Sequence, residues 1–265
     1  MTEWVRCLEV TTVSSCAVNC SYCPQSVLAD AYKGDTILGL DKFREVVAEL
    51  PPDVVVHFSG FVEPWLNLEC TEMLRYALGE GRRVAVFTTL IGMRSPNTVA
   101  ELLTGYADRV DQLCIHLPDE FGHMPLKPKA EAIDAFRTVP GVEWMAMGRS
   151  VEEPGRMNVW TPNDRAGSLR VLGSGRLQAP LTETRMQADR HVGPIRCSYT
   201  LTYEHNVMLP NGDVVLCCQD YALRHPIGNL FRQTWDELDR ASIAQANLDG
   251  GDTICRRCNG AEPRS

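Results

Sequence analysis

Three thiols crowd eight residues near the start of the chain: Cys16, Cys20 and Cys23, in the order Cys-x3-Cys-x2-Cys. A loop this short can offer three soft ligands to one centre, and thiolates select iron–sulfur clusters or zinc. A zinc site would want a fourth Cys or His nearby, and none is adjacent. Three ligands on a four-iron cube would instead leave one iron open to a further ligand. A second group, Cys197, Cys217, Cys218, Cys255 and Cys258, gathers toward the other end, with Cys255-x2-Cys258 as its tightest pair. Four thiolates drawn from these saturate either an iron–sulfur cluster or a zinc, and on spacing alone both fit. Cys7, Cys70 and Cys114 stand singly; for Cys7 and Cys70 the expectation is burial in the core, where free cysteine is common.

At 265 residues, 44% hydrophobic and 23% charged, the chain has the make-up of an ordinary globular protein. A chain of this length buries about three-quarters of its unfolded surface, so its eleven cysteines are not needed to make a fold stable. No secretion signal opens the sequence and no apolar run is long enough to span a bilayer. The expectation is therefore a cytoplasmic protein, where clustered cysteines bind metal or do chemistry rather than pair. Acidic side chains outnumber basic ones, 34 to 26, for a formal charge of -8, which argues against a general nucleic-acid or membrane-surface binder. No P-loop, dinucleotide fingerprint or long internal repeat is present.

The elements that must position the cysteines follow from hydrophobic period. Strands are expected at 8–13, 54–58, 84–87, 112–117 and 142–147, with helices at 41–50, 70–78, 99–106 and 130–136 between them. Such alternation implies right-handed βαβ units and a parallel sheet. Ligands of these folds gather at the carboxyl ends of the strands. There stand the cysteine loop, residues 59–64, Thr88 and Thr89, His116, and residues 148–150. Between 148 and 194 only a weak strand at 169–172 can be placed. Beyond it, Asn211-Gly212 joins two apolar runs, 201–209 and 213–216, as a hairpin. A helix is expected over 235–244 with Thr234 as its N-cap. His57 reads as a core residue, while His116 and His205 lie where they could reach a site.

The Cys16, Cys20, Cys23 loop, with aromatic Tyr22 before its last cysteine and a strand ahead of it, resembles that of the radical S-adenosylmethionine (SAM) superfamily. The resemblance implies an α/β fold, a partial (β/α)6 TIM-like barrel over 1–190, followed by a small hairpin-plus-helix iron–sulfur domain over 191–265. It further implies a [4Fe–4S] cluster on the three cysteines, with SAM chelating the open iron. One-electron reduction then yields a 5′-deoxyadenosyl radical that abstracts hydrogen from an unactivated C–H bond. Ser59-Gly60-Phe61-Val62-Glu63-Pro64 is similar to the segment in which this family reads Gly-Gly-Glu-Pro and holds the SAM ammonium. Gly60, Glu63 and Pro64 match; Phe61 and Val62 stand where the family has glycine. Thr88 and Thr89 fall where polar groups meet the ribose or carboxylate, and Tyr22 where a backbone contact to adenine is expected.

The second cysteine group resembles the SPASM domain in its shortened form, called twitch. That resemblance implies a second [4Fe–4S] cluster on Cys197, Cys217, Cys255 and Cys258, with Cys218 as the alternative to Cys217. A fully ligated cluster serves to move an electron, so the implied reaction is dehydrogenation of an alcohol on a sugar or aminocyclitol. Residues 163–167, Asn-Asp-Arg-Ala-Gly, are similar to a substrate-contacting segment of the aminocyclitol dehydrogenases in this superfamily, which gives Arg165 a substrate-positioning role. Two further readings stay open. A radical epimerase of a sugar or peptide would return hydrogen from a thiol, for which Cys114 and Cys218 are candidates; a peptide-modifying enzyme would install a crosslink. Each needs a small-molecule or peptide substrate and an electron donor such as flavodoxin or ferredoxin. Substrate identity and oligomeric state are not written in the sequence.

Overall fold

The computed structural model describes residues 6–152, 154, 157–159, 165, 170–171, 177–178 and 191–264. Its first half alternates strand and helix: β1 (Cys7–Val10), α1 (Gln25–Ala31), α2 (Leu40–Glu49), β2 (Val55–Phe58), α3 (Cys70–Gly79), β3 (Val84–Thr88), α4 (Pro96–Gly105), β4 (Val110–His116), α5 (Ala130–Phe136), β5 (Val142–Ala146) and β6 (Met157–Val159). Strands β1 to β6 pair in sequence, all parallel. The expected α/β fold with a parallel sheet is the observed one. Two elements escape the sequence reading: α1, only seven residues long, and β6, three residues past a Pro- and Gly-containing stretch.

The strands have two apolar faces of different character. Leu8, Val10, Val56, Phe58, Val84, Val86, Leu113 and Ile115 join one core with Phe43 and Val47 of α2, Met73 and Leu74 of α3, Val99 and Leu103 of α4, and Phe136 of α5. The alternate positions, Cys7, Glu9, His57, Phe87, Cys114 and His116, fall on the other face, because strand side chains change sides at every residue. That inner face carries nearly all the chemistry. Cys7 and Cys70 are both buried, as expected.

The C-terminal hairpin continues this sheet. Strand β10 (His205–Met208) pairs parallel with β1, Cys7 opposite His205 through Val10 opposite Met208, and β11 (Asp213–Val215) and β12 (Pro226–Asn229) extend it antiparallel. Nine strands thus run in one sheet from β12 to β6. Gly212 turns the hairpin at φ +83°, where a Cβ would meet the Phe231 ring at 2.5 Å. Two short ladders stand apart: β7 (Arg170–Val171) with β8 (Leu177–Gln178), at the weak strand expected there, and β9 (Ile195–Cys197) with β13 (Ala261–Pro263).

The helix expected over 235–244 is corrected. Thr234 does cap a turn, its backbone N–H donating to Glu237 Oε2 (2.8 Å), but that turn is a 3-10 piece of three residues, Trp235–Glu237. Helix α6 (Arg240–Asp249) begins afresh, with the Asp239 side chain accepting from the Ser242 N–H. The break has a cause: the Asp239 N–H donates to the Ile227 carbonyl (2.8 Å), so it is spent on the sheet edge rather than on a helix ladder. No described helix is long and apolar enough to cross a membrane.

Candidate cluster and SAM site

The cysteine loop leaves the carboxyl end of β1 and ends in α1. The Val27 and Leu28 side chains of α1 pack in an apolar cluster with Phe61 and Val62, with Cys16 and Cys23 against it. Cys16, Cys20 and Cys23 line one cavity of about 270 Å3 together with Gly60, Glu63, Thr89, Cys114, His116 and Arg165. Thus residues from the ends of β1 to β4 do converge on one side. Residues 148–150 do not line it: they pack on the β4–α5 loop, where Asp119 bridges Ser150 and the Arg149 N–H donates to Glu120 Oε1 (3.2 Å).

As thiolates, the three cysteines would repel one another. Burial pushes Cys20 up to about 12, with the charges of Cys23 and Cys16 adding to the shift. Cys16 is also raised by burial, although backbone hydrogen bonds from Glu63 and Val18 favour its thiolate. A multivalent cation relieves all of these costs at once, so the donor set fits an iron–sulfur cluster. The loop is braced from behind. The Ser21 N–H donates to the His123 carbonyl (2.8 Å), and Asp119 Oδ2 holds the His123 ring at 2.9 Å, both side chains being buried. The Tyr22 ring stacks on His116 at 5.3 Å, and its hydroxyl meets His116 Nδ1 at 3.3 Å.

The 59–64 loop is pinned to β1. Ser59 Oγ and the Gly60 N–H donate to Glu9 Oε2 (3.0 and 3.1 Å), and the Phe61 N–H donates to Thr11 Oγ1 (3.3 Å). Gly60 has φ +78° and lies so close to Thr11 that a Cβ would sit 2.5 Å from its hydroxyl. It is the one left-handed residue of the loop; Phe61 and Val62 have ordinary backbone and spend their side chains on packing. That explains why side chains are tolerated where the resemblance has glycines.

Glu63 is buried at the centre of four donors. Its Oε1 accepts from Thr88 Oγ1 (2.8 Å) and the Trp65 N–H (3.2 Å), and its Oε2 accepts from the Thr89 N–H (2.6 Å) and Thr89 Oγ1 (2.7 Å). A carboxylate has about four lone-pair sites, so the group is fully hydrogen-bonded and aimed. Burial raises its pKa while the Thr89 and Thr88 donors oppose the shift. An incoming ammonium can take the place of the Thr89 hydroxyl as a donor to Glu63. Glu63→Gln is therefore expected to weaken SAM binding by roughly tenfold or more, since a hydrogen bond to a charged group is worth about 1.5–3 kcal/mol. Equilibrium binding of SAM to the iron-loaded protein checks this, and unchanged affinity would remove Glu63 from the site.

The second cysteine group lines another cavity, of about 320 Å3, formed by Cys197 on β9, Cys217 and Cys218 after β11, and Cys255 and Cys258 after α6. The two adjacent cysteines face different neighbours. Cys217, raised by burial, also feels the charges of Cys218, Cys255 and Cys258. Cys218, likewise raised by burial, instead feels Glu9 and Arg165 of the barrel interior. The Cys255 loop is braced by hydrogen bonds: the Ile254 N–H donates to His225 Nε2 (3.0 Å), and Arg256 donates to the carbonyls of Gly251 (3.0 Å) and Asn247 (3.1 Å). Asp220, the acidic residue near the pair, accepts from the Arg224 and His225 N–H groups and closes that turn.

Several polar residues of the interior lie outside the two cysteine groups. Glu9, buried in β1, bonds His205 Nε2 at 2.9 Å. Burial opposes its charge, yet the hydrogen bond from His205 and the charges of His205 and His57 hold its carboxyl down to about 2. Cys7, His57 and His205 place ligand-type atoms within 4.8 Å of one another, but His205 is already engaged by Glu9, and the pair neutralises itself. His57 is thus an inner-face residue beside Phe87 rather than a member of the helix-side core, and burial takes it down to about 4. Cys114 is a buried thiol, its Sγ 3.2 Å from Met145 Sδ, pushed up to about 12 by burial. Arg165 has φ 49°, its guanidinium 5.9 Å from the Tyr221 ring centroid. Its neighbours Asn163, Asp164, Ala166 and Gly167 lie outside the described residues.

Residues 197–259 match the family model of SPASM, an iron–sulfur cluster-binding domain. The fold is similar to that of BtrN in complex with AdoMet (SAM) and 2-DOIA, at 16% identity over 98% of this chain and 94% of that one, TM-score 0.64. It is also similar to Streptococcus suis SuiB bound to precursor peptide SuiA (12% identity, 96% and 70% covered, TM-score 0.60) and to anSMEcpe with bound AdoMet (13% identity, 96% and 86% covered, TM-score 0.51). No curated protein matches the chain in sequence. The chain thus shares its fold with BtrN and SuiB, and its residues 197–259 match the model of the SPASM iron–sulfur cluster-binding domain.

Proposed function

We propose that this protein is a radical SAM oxidoreductase that dehydrogenates a secondary alcohol on a small polyhydroxylated substrate such as a sugar or aminocyclitol. Cys16, Cys20 and Cys23 would hold a [4Fe–4S] cluster, Gly60 and Glu63 the SAM amino group, and Thr88, Thr89 and Tyr22 the rest of that molecule. Cys197, Cys217, Cys255 and Cys258 would hold a second cluster; the cysteine neighbours of Cys217, against the Glu9 and Arg165 neighbours of Cys218, support this choice. When bound, the first cluster and SAM supply a carbon radical able to take a hydrogen atom from an unactivated C–H bond, and the second supplies an acceptor for the electron left behind. An electron carrier such as flavodoxin or ferredoxin is the implied partner.

The chain's own part is binding, orientation and shielding. Arg165 presents planar donors to the cavity, suited to a hydroxyl that becomes a carbonyl. Burial lowers His116 to about 4, so it stands neutral at pH 7, able to donate or accept a hydrogen bond without adding charge. Phe87 and Met145 line the same cavity and keep it apolar around the reacting carbon.

One observation carries the oxidative reading: a second cavity lined by five cysteines, enough to supply all four protein ligands of a cluster. The epimerase reading has its own support in Cys114, which lines the first cavity and remains a protonated thiol. Iron and sulfide counting after anaerobic reconstitution tests the first reading and should approach about eight of each per chain. A count near four, with zinc on the C-terminal cysteines, would overturn it. Turnover in deuterated water separates the two: a dehydrogenase yields a carbonyl product, whereas an epimerase carries solvent deuterium into a carbon–hydrogen bond.

A further inference from the structure

Tyr221 belongs to the C-terminal module by sequence, four residues after Cys217 and inside the SPASM match, yet its side chain reaches the other site. Its hydroxyl oxygen lies 3.4 Å from the sulfur of Cys23. The ring is buried, 4.6 Å from the ring of Phe61 in the 59–64 loop. Opposite it, Gln25 Nε2 donates to the same sulfur at 3.3 Å while also donating to the Phe61 carbonyl. Cys23 is therefore the cysteine of the loop with two side-chain donors converging on its sulfur, one from each half of the chain.

A ligating thiolate can only accept, so with Cys23 bound to a cluster the Tyr221 hydroxyl must be the donor. Hydrogen bonds to cluster sulfurs draw electron density off the metal centre and stabilise its reduced form, and with it they raise the reduction potential. We propose that Tyr221 donates this hydrogen bond to Cys23 and thereby helps set the reduction potential of the N-terminal cluster, making the C-terminal module part of the first site's ligand environment. The inference rests on the reading of Cys23 as a cluster ligand. It also gives the module a role at the first site that does not depend on its own cluster: the stretch from Cys217 to Tyr221 ties a ligand of one cavity to a donor on a ligand of the other. The turn that fixes this stretch is built by Asp220, whose two accepted backbone hydrogen bonds aim the next residue inward.

The test is a redox titration of the reconstituted full chain, followed by electron paramagnetic resonance on the signal that changes when SAM is added. Tyr221→Phe keeps the ring against Phe61 and removes only the donor; it should shift the midpoint to lower potential with unchanged iron content. Gln25→Leu removes the other side-chain donor and should shift it the same way. Fluorotyrosine at 221, a stronger donor, should shift it upward, and decides the matter if the Phe variant fails to take up iron. A midpoint unmoved by both Tyr221 changes overturns the proposal, whether or not Gln25→Leu moves it. Absence of any SAM-sensitive signal in the unaltered protein would instead refute the cluster reading of the first cysteine loop.

Discussion

Simultaneous replacement of Cys16, Cys20 and Cys23 by Ala is expected to abolish reductive cleavage of SAM to 5′-deoxyadenosine while leaving about four iron atoms per chain on the C-terminal cysteines. The loop offers no substitute ligand: Tyr22 is turned onto His116, and Glu63 has its four acceptor sites filled from Thr88, Thr89 and Trp65. Nor should the fold fail. The loop is anchored by backbone bonds that involve no sulfur, Ser14 to the Thr36 carbonyl and Ser21 to that of His123. Quantifying 5′-deoxyadenosine under reducing, anaerobic conditions, with iron assayed on the same sample, checks both halves of the expectation. Cleavage that survives the triple substitution would refute the radical SAM assignment of this loop.

The cysteine loop was legible in sequence because its three ligands are neighbours in the chain, so spacing alone constrains the geometry they can adopt. The parallel sheet was legible for a similar reason: each strand–helix pair is a local pattern of period. Glu63 could be picked out, but not the four donors that saturate it, since Thr88 and Thr89 come from the next strand. Glu9 leaves a trace in the sequence. A carboxylate in the run Cys7-Leu8-Glu9-Val10 sits on the face opposite Leu8 and Val10, and strand alternation assigns it to the interior. Asp119, His123 and Tyr221 left none, because what they do depends on contacts with the cysteine loop made across long stretches of chain. The break before α6 was equally hidden: the pattern at Thr234 to Glu237 is a genuine cap, and only the bond from Asp239 to Ile227 ends the helix it starts.

Cys217→Ala and Cys218→Ala, compared side by side, should separate the two candidate ligands of the second cavity. The first is expected to lose the iron of the C-terminal cluster and with it nearly all oxidised product, while SAM is still cleaved; the second should keep its iron. The argument begins with orientation, since Cys217 shares its surroundings with Cys255 and Cys258, and Cys218 is turned toward Glu9 and Arg165. Loss of the Cys217 ligand need not unfold the module. His225 holds the Ile254 backbone and Arg256 ties down the carbonyls of residues 247 and 251 through bonds that involve no sulfur. Strand β10 stays hydrogen-bonded to β1 along its whole length, which keeps the hairpin on the sheet. The Cys217→Ala protein would then cleave SAM without an acceptor for the second electron, and the ratio of product to 5′-deoxyadenosine falls toward zero. Measuring that ratio against iron content distinguishes the outcomes. If iron and product are both unchanged in Cys217→Ala but lost in Cys218→Ala, the ligand is Cys218. A loss of iron with the ratio intact would show that the second cluster takes no electron from substrate, and the dehydrogenase reading would give way to redox-neutral chemistry in which Cys114 returns the hydrogen.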